Sequence, residues 1–198
     1  MALSYSGIDL CSNNITNMDL DFKGEQIMAL VFVDVEARGT SPVNGTMTEF
    51  GAVVYDPTGK HHKTFFHGHI FEGYPDPENP AIPVLGERIA DSREVAEQFI
   101  EWLKVVSPGQ VTLVSDNPAY DFMWMAGFFD EVGLENPFGH SGRRIADFWA
   151  GVQLKWSDTQ SWKRFRVTEH THMPVDDAMG NVEAYEKILE IVKEKRNV

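Results

Sequence analysis

The stretch ALVFVDVE at residues 29–36 decides the fold expected for this chain. Its almost continuous apolar run is typical of a central strand that is covered on both faces. Because side chains alternate along a strand, Asp34 and Glu36 should project from the same face, one pleat apart. Two like charges so placed repel each other unless a cation lies between them. The alternative is that the strand simply emerges into water at this point.

Further patterns along the chain predict an α/β layer built on a mixed sheet. The expected elements are strands at 50–55, 64–70 and 110–114 and helices at 92–106, 120–132 and 177–195. The turn signal Asp56-Pro57-Thr58-Gly59 favours a hairpin between the strands on either side of it, and the Pro-, Gly- and acid-rich stretch 71–83 is expected to be a loop. Three strands followed by alternating helix and strand favour an α/β fold, whereas the strand order cannot be derived from pattern alone.

Size and composition indicate one domain in water. The chain has 198 residues, of which 42% are hydrophobic and 24% charged, and no apolar run approaches the ~18 residues that a membrane span needs. Residues 1–27 show no sustained period and are expected to be a loosely attached extension of a domain at 28–198. Since this start also lacks a basic segment followed by an apolar one, a cytoplasmic protein is expected. Cys11, the only cysteine, leaves no internal disulfide and no cysteine-rich zinc site.

The formal net charge of −13 limits how the protein can bind nucleic acid. With 30 acidic residues against 17 basic ones, the chain is not suited to coat long duplex DNA by neutralising many phosphates. A protein that grips only the end of a strand needs few phosphate contacts, and some of the acidic side chains can face metal ions. The charge therefore excludes one mode of binding and not nucleic acid itself.

Two later segments carry acids where a helix is expected to begin. Asn117 and Asp121 lie between the fourth predicted strand and the second helix, and the carboxyl ends of strands are where open α/β sheets place their ligands. His172 precedes the last helix, and Asp177 opens it. The alternative to a functional site is that these residues have only structural roles. Each acid can stabilise a helix N-terminus, and His172 can be an ordinary loop histidine.

Taken together and in this order, the three segments resemble the three motifs of the DEDDh exonucleases, the proofreading-type or DnaQ-like family of the ribonuclease H-like superfamily. Asp34 and Glu36 match the Asp-x-Glu of the first motif, and Asp121 matches the acid of the second, Asn-x-x-(aromatic)-Asp. His172 and Asp177 match the His-x-x-x-x-Asp of the third. The resemblance extends from about residue 29 to the C-terminus. It implies a ribonuclease H-like α/β fold, with a mixed sheet flanked by helices.

The resemblance also implies an activity, metal-dependent 3′→5′ exonuclease, with nucleoside 5′-monophosphates as products. The family uses two ions, and Mg²⁺ and Mn²⁺ prefer the oxygen ligands found here. The implied ligands are Asp34, Glu36, Asp121 and Asp177. His172 would take the proton from the attacking water, because a histidine side chain ordinarily titrates near pH ~6.5. The implied partners are 3′ ends of single-stranded RNA or DNA or short oligonucleotides, and the small members of the family suggest a homodimer.

The chain departs from the family pattern at two positions. The family usually follows the Glu of its first motif with a threonine that contacts the 3′ end, whereas Ala37 stands at that position here. Gly39 matches the family, and Thr40 or a backbone amide is the expected replacement for the lost contact. In the second motif a histidine commonly precedes Asn117, and here that residue is Asp116. Neither change removes a metal ligand or the base.

The segment 155–166 carries bases and aromatics in an otherwise acidic chain. Nucleobases stack on aromatic rings while Lys and Arg follow the phosphates, which makes the segment a candidate guide for a single strand. The residues with such a role would be Trp162, Lys163, Arg164 and Arg166. The equal alternative is that the aromatic residues are core and the cations form a solvated face. The remaining histidine-rich stretch is interpreted as surface in preference to a metal site, at His61, His62, His67 and His69.

Two other functions remain compatible with the pattern. A catalytically idle ribonuclease H-like module could bind nucleic acid or a protein partner, but such a module has no need of three separated acidic segments and a base. A two-metal phosphatase for small nucleotides would use the same chemistry as a nuclease. The sequence favours the exonuclease over the idle module and does not distinguish it from the phosphatase.

Overall fold

A five-stranded mixed sheet forms the centre of the computed structural model, which describes residues 29–57, 64–75, 83–107 and 109–196. The strands are β1 (Ala29–Arg38), β2 (Thr46–Val54), β3 (Phe65–His69), β4 (Phe71–Pro75), β5 (Pro83–Arg88), β6 (Val111–Ser115) and β7 (Arg143–Arg144). The helices are α1 (Ser92–Val106), α2 (Pro118–Val132), α3 (Ile145–Gln153) and α4 (Pro174–Arg196), and a 3₁₀ helix spans Ser161–Phe165. The predicted extension 1–27, part of the predicted turn (Thr58 and Gly59), and His61 and His62 lie outside the described residues.

The strand order of the main sheet is β3-β2-β1-β6-β7. β1 pairs antiparallel with β2 and parallel with β6, and β2 pairs antiparallel with β3, as expected for the predicted hairpin. β4 and β5 form a separate two-stranded antiparallel sheet. The prediction of an α/β fold on a mixed sheet is therefore confirmed.

Helices cover both faces of the central strand β1. Val31 and Val33 pack with α1 and α2 on one face, and Phe32 packs with α3 and α4 on the other. All three side chains are fully buried, which confirms the prediction from the apolar run. Because side chains alternate, Asp34 and Glu36 continue the row begun by Phe32 and lie on the α4 face. Within the described ranges, no helix is both long and apolar enough to cross a bilayer.

The prediction of a loop at 71–83 is wrong for the part that the structure describes. Residues 71–75 form β4, which pairs with β5. Pro75 and Pro83 are opposite each other at the end of this small ribbon, where a missing backbone donor does little harm. Some of the Pro, Gly and acidic residues that predicted a loop therefore lie in a short two-stranded ribbon.

The sequence patterns also missed α3 and misplaced the start of α4. The nine residues of α3 are mostly apolar, and a short apolar run does not distinguish a helix from a strand. The last helix begins at Pro174, three residues before the predicted start at Asp177. Proline is well suited to the first position of a helix, because its fixed φ fits and its missing N–H has no partner there.

Candidate active site

Asp34, Glu36 and Asp177 meet where the end of β1 faces the start of α4. One carboxylate oxygen from each residue lies within 4.8 Å of those of the other two. The start of α4 comes this close because Gly51, opposite Asp34 in β2, has no side chain. A Cβ atom on Gly51 would lie 2.2 Å from the carbonyl carbon of Pro174. The first and third motifs are thus brought together by direct backbone contact between β2 and α4.

The fourth carboxylate comes from the first turn of α2. β6 runs parallel to β1, so the chain leaves β6 at the same edge of the sheet at which Asp34 and Glu36 lie. Asp121 is only 4% exposed, and the backbone N–H of Val35 donates to its Oδ1 over 3.2 Å. Since Val35 lies between the two acids of β1, this bond attaches the second motif to the first. We call Asp34, Glu36, Asp121 and Asp177 the carboxylate cluster.

Burial and mutual repulsion disfavour the charged forms of these acids. Burial raises the pKa of Glu36 to about 8, and repulsion from Asp177 adds to the shift. Burial also raises the pKa of Asp121 to about 7. The pKa of Asp34 is raised well above its ordinary value, by burial first and then by repulsion from Asp121 and Asp177. A nearby cation would reverse these shifts, because it favours the charged carboxylates.

The donor set of the carboxylate cluster fits a hard divalent cation. All four groups offer oxygen, the ligand atom that Mg²⁺ and Mn²⁺ prefer. Oδ2 of Asp177 is buried and lies 2.7 Å from Nδ1 of His170, but among the described residues it receives no well-oriented hydrogen bond. A buried carboxylate oxygen without a hydrogen-bond donor is suited to coordinate a metal ion.

Two histidines flank the carboxylate cluster. Nδ1 of His172, the predicted base, lies 3.8 Å from Oε1 of Glu36, and its side chain is 52% exposed. Its backbone has φ 60°, a left-handed conformation that is uncommon outside glycine and is found at functional sites. His170, which the sequence analysis did not single out, contacts Asp177 and has its ring centroid 4.4 Å from that of His172. The His-x-His spacing before the last helix was the one signal that could have identified it.

The residues predicted to hold the terminal nucleotide lie in exposed positions. Gly39 has φ +103° and turns the chain out of β1, and the hydroxyl of Thr40 donates to Oδ1 of Asn44 over 3.2 Å. Asn117 is exposed directly before α2 and makes no side-chain capping bond. Tyr120 donates a long hydrogen bond of 3.4 Å to the carbonyl oxygen of Ala37. The structure thus leaves Gly39, Thr40 and Asn117 accessible.

Trp162 does not have the role predicted for it in guiding a strand. Its side chain is fully buried beside α3 and α4, and its Nε1 donates to the carbonyl oxygen of Thr159 over 3.1 Å. A ring with no exposed face cannot stack on a nucleobase. Of the two alternatives for the segment 155–166, the core assignment is correct for this residue. Trp156, by contrast, is 78% exposed.

Two of the four cations of the same segment are paired with one acid, whereas Lys155 and Arg164 are exposed. Nζ of Lys163 lies 2.6 Å from Oδ2 of Asp116, and Arg166 lies 3.7 Å from the same oxygen. Arg166 also donates to Oδ1 of Asn181 over 2.6 Å and is largely buried. Arg164 is exposed, with its guanidinium group 4.9 Å from the ring centroid of Phe165.

Asp116 therefore has a structural role that the sequence analysis missed. It occupies the position where the family commonly has a histidine, and it ties the 3₁₀ helix to the second motif through Lys163 and Arg166. Arg166 in turn favours the charged form of Asp34 and so lowers its pKa, against the larger effect of burial. The sequence shows that Asp116 is acidic and that Lys163 and Arg166 are basic. A single sequence does not show that residues so far apart along the chain form ion pairs.

Comparisons with known proteins define the class of structure. No family model matches the sequence, and no curated protein matches it significantly. The nuclease domain of 3′hExo, a DEDDh family member solved bound to rAMP, is similar with a TM-score of 0.62 at 14% identity, covering 82% of this chain and 92% of that one. A full-length 3′-exonuclease gives 0.58 at 14%, with coverages of 85% and 84%. E. coli exonuclease I in complex with a dA16 oligonucleotide gives 0.54 at 15%, with coverages of 86% and 42%.

The mixed five-stranded sheet with helices on both faces is thus a ribonuclease H-like fold. Within that class, the chain has the fold of the DEDDh-type 3′→5′ exonuclease domains. Both statements confirm what the sequence resemblance implied. At identities of 14–15% the similarity defines the fold, and the chemistry rests on the residues of the site.

Proposed function

We propose that the protein is a metal-dependent 3′→5′ exonuclease acting on single-stranded nucleic acid or short oligonucleotides. The observation that carries this proposal is the convergence of four carboxylates from three chain segments beside two histidines. The pKa values of Asp121 and Glu36 are raised to about 7 and about 8, which means that their charged forms destabilise the folded protein. A protein that only binds a partner has no use for such acids. Catalysis gives them a use, since a two-metal site needs this donor set.

The carboxylate cluster would hold two Mg²⁺ or Mn²⁺ ions. Asp34, which lies close to the other three acids, would help to hold the ions. Glu36 and Asp177 would complete the coordination of one ion, and Asp121 would support the other. When bound, the ions would lower the pKa of a bound water and stabilise the charge on the attacking and leaving oxygens.

His172 would accept the proton of the attacking water. Its ring lies at the edge of the carboxylate cluster near Glu36, and half of its side chain is exposed, so the proton can pass to solvent. His170 would act on Asp177, whose Oδ2 it contacts, and would orient that carboxylate. The products would be nucleoside 5′-monophosphates.

The surface of this chain is better suited to bind the end of a nucleic acid strand than to bind a long duplex. Lys163 and Arg166 contact Asp116, so these two cations are less available to neutralise phosphates, and the chain as a whole carries a net charge of −13. Contacts with the terminal nucleotide would come from the accessible groups Gly39, Thr40 and Asn117, with Arg164 on the path of the strand.

The proposal is tested with 5′-end-labelled RNA and DNA, single- and double-stranded, incubated with Mg²⁺ or Mn²⁺. We expect stepwise shortening from the 3′ end and the release of nucleoside 5′-monophosphates. Asp34→Asn is the matched control, because it keeps the shape of the side chain and removes its charge. This variant should lose activity while its metal-free melting temperature stays at or above that of the wild type, since repulsion in the cluster is reduced.

Two outcomes would point to other functions. A folded protein that leaves all four substrates intact with both metals would be the idle binding module. Release of phosphate from mononucleotides without shortening of any strand would identify a phosphatase. An Asp34→Asn protein that hydrolyses as fast as the wild type would exclude the two-metal mechanism.

A further inference from the structure

A second group of metal-binding side chains lies on the same sheet face as the carboxylate cluster. Glu49 in β2 is paired with Glu36 in β1 on one side and with His69 in β3 on the other. His67 lies two residues before His69, so both rings project from the same face of β3. We call Glu49, His67 and His69 the histidine cluster. It lies where β2 meets the edge strand β3.

The histidine cluster adjoins the active site at the cross-strand pair of Glu36 and Glu49, and the start of α4 lies between the two groups at Gly51. Gly51 lies between Asp34 and His67 in the register of the three strands. The backbone of Pro174 and Val175 packs directly on Gly51 and so occupies the space between Asp34 and His67. Glu49, by contrast, lies beside Glu36, and its charge contributes to the raised pKa of Glu36. The histidine cluster nevertheless shares no residue with the groups of active-site side chains that could hold an ion.

The geometry of the histidine cluster brings three ligand atoms together. Nε2 of His67 lies 2.6 Å from Oε2 of Glu49. The rings of His67 and His69 are stacked, with an interplanar angle of 7° and centroids 5.3 Å apart. One ligand atom from each residue lies within 4.8 Å of those of the other two. The side chains of His67 and Glu49 are 29% and 12% exposed, so they are held in place and remain within reach of solvent.

We propose that the histidine cluster binds a transition-metal ion of the zinc class, at a site separate from the carboxylate cluster. Imidazole nitrogen is a ligand for Zn²⁺, Ni²⁺, Cu²⁺ and Fe²⁺, whereas Mg²⁺ takes oxygen. Two imidazoles and one carboxylate supply three of the four positions around a tetrahedral zinc ion. The fourth position is left for water or another small ligand.

The distances in the cluster allow this coordination with little rearrangement. Two ligands bound about 2.0–2.1 Å from a tetrahedral zinc ion lie about 3.3 Å apart. The ligand atoms of the histidine cluster lie between 2.6 Å and 4.8 Å apart, so their separations bracket that value. Rotation of side chains on a fixed pair of strands is sufficient to close the site around an ion.

An ordinary ion pair accounts for Glu49 and His67 but not for His69. Within the described part of the chain, His69 has no hydrogen-bond partner and contacts His67 through its stacked ring. His67 and His69 are both partly buried, which differs from the surface positions interpreted from the sequence. His69 thus lies beside the bonded pair of Glu49 and His67 as a third side chain that can bind a metal ion.

The test is a titration of the full chain with ZnCl₂ after chelator treatment, in excess Mg²⁺ to fill oxygen sites. Calorimetry gives the stoichiometry and affinity, and Co²⁺ in place of Zn²⁺ reports tetrahedral coordination by its visible absorption. We expect one zinc ion at the histidine cluster, counted separately from any ion held by His170, His172 and Asp177, which offer the same kinds of donor. Glu49→Gln and the double variant with His67→Gln and His69→Gln should weaken its binding by more than the roughly 10–100-fold that the loss of an outer-shell partner causes.

His140→Gln is the matched control, because His140 is exposed and outside both groups. It should bind zinc as the wild type does. A chain carrying Asp34→Asn and Asp177→Asn should also keep the zinc ion, which separates this proposal from the proposed nuclease activity. Unchanged zinc affinity in both Glu49→Gln and the double histidine variant would overturn the proposal. So would a zinc ion that disappears with the two aspartate substitutions, since it would then belong to the active site.

Discussion

Trp162, in the 3₁₀ helix, is among the largest fully buried side chains and packs against α3 and α4. We expect Trp162→Ala to lower the free energy of unfolding by ~3–5 kcal/mol, because truncation leaves a cavity. Denaturant unfolding measures this loss. Trp156→Ala is the matched control, since that ring is 78% exposed and its loss should change stability by no more than about 0.5 kcal/mol. A Trp162→Ala protein of normal stability but weakened strand binding would restore the guide hypothesis.

The two histidines beside the carboxylates are expected to differ in role. His172→Ala should slow hydrolysis by ~10²–10⁴-fold while Mg²⁺ still raises the melting temperature, because a general base does not hold the ions. His170→Ala should have the smaller effect on rate, since His170 would act through its neighbours Asp177 and His172 and not on the attacking water itself. Single-turnover rates with melting curves in Mg²⁺ separate the two. The reverse order of rates would make His170 the base, and lost metal stabilisation in His172→Ala would make His172 a ligand.

At the level of elements, Gly51 sets the distance between β2 and α4. Gly51→Ala would place a Cβ atom 2.2 Å from Pro174, so α4 must shift away and carry Asp177 with it. We expect a loss of about 1–3 kcal/mol in the free energy of unfolding, as for other overpacked sites, together with a fall in metal affinity and activity. Calorimetric Mn²⁺ titration and unfolding curves measure both effects.

Gly151→Ala in α3 is the matched control for this substitution. A Cβ atom at Gly151 meets nothing within 4 Å. Alanine also favours the helix over glycine, so this variant should be as stable as the wild type or slightly more so. A Gly51→Ala protein with normal metal affinity would show that α4 does not depend on this contact for its position.

The elements that could be predicted from the sequence are those with a strong local signal. β1 was predictable because its apolar run is buried on both faces, and α1 because its apolar residues recur at helical spacing. The ribbon of β4 and β5 was not predictable, since its pairing joins residues on either side of a Pro-rich stretch. α3 carried a short apolar signal that fits a helix and a strand equally.

For the whole molecule, the raised pKa values predict how stability depends on pH without metal. The pKa of Glu36 is raised from its ordinary 4.5 to about 8, and that of Asp121 to about 7, so the folded state binds more protons than the unfolded state across this range. The free energy of unfolding should therefore fall as pH rises from about 4.5 to about 8, by on the order of a few kcal/mol. Melting curves in chelator at pH 5 and pH 8 measure it.

Metal ions should reverse this trend. Mg²⁺ or Mn²⁺ competes with protons for the carboxylates, so the gain in melting temperature on adding metal should be larger at pH 8 than at pH 5. Glu36→Gln should flatten the metal-free profile, because it removes one of the groups that titrate. A wild-type profile that is already flat in chelator would contradict the assigned pKa shifts.

The proximity of the five motif residues could be predicted from the sequence because family resemblance supplied what local pattern does not. Spacing alone placed Asp34 and Glu36 on one face, but it could not bring Asp121 and Asp177 to them. That convergence depends on the strand order and on the approach of α4 to Gly51, both of which are long-range. The ion pairs of Asp116 with Lys163 and Arg166 and the burial of Trp162 could not be predicted from the sequence for the same reason.

The ion pairs of Asp116 affect how fast a nucleic acid strand would reach the site. Lys163 and Arg166 are engaged with this acid, so an approaching strand meets a surface dominated by the net charge of −13. Both partners are then anionic, and their diffusional encounter should be slow at low ionic strength and faster as salt screens the repulsion. Stopped-flow association rates would show this rise, whereas attraction between a cationic protein and a strand gives a fall. The protein would then select strand ends by close fit after contact and not by attraction at a distance.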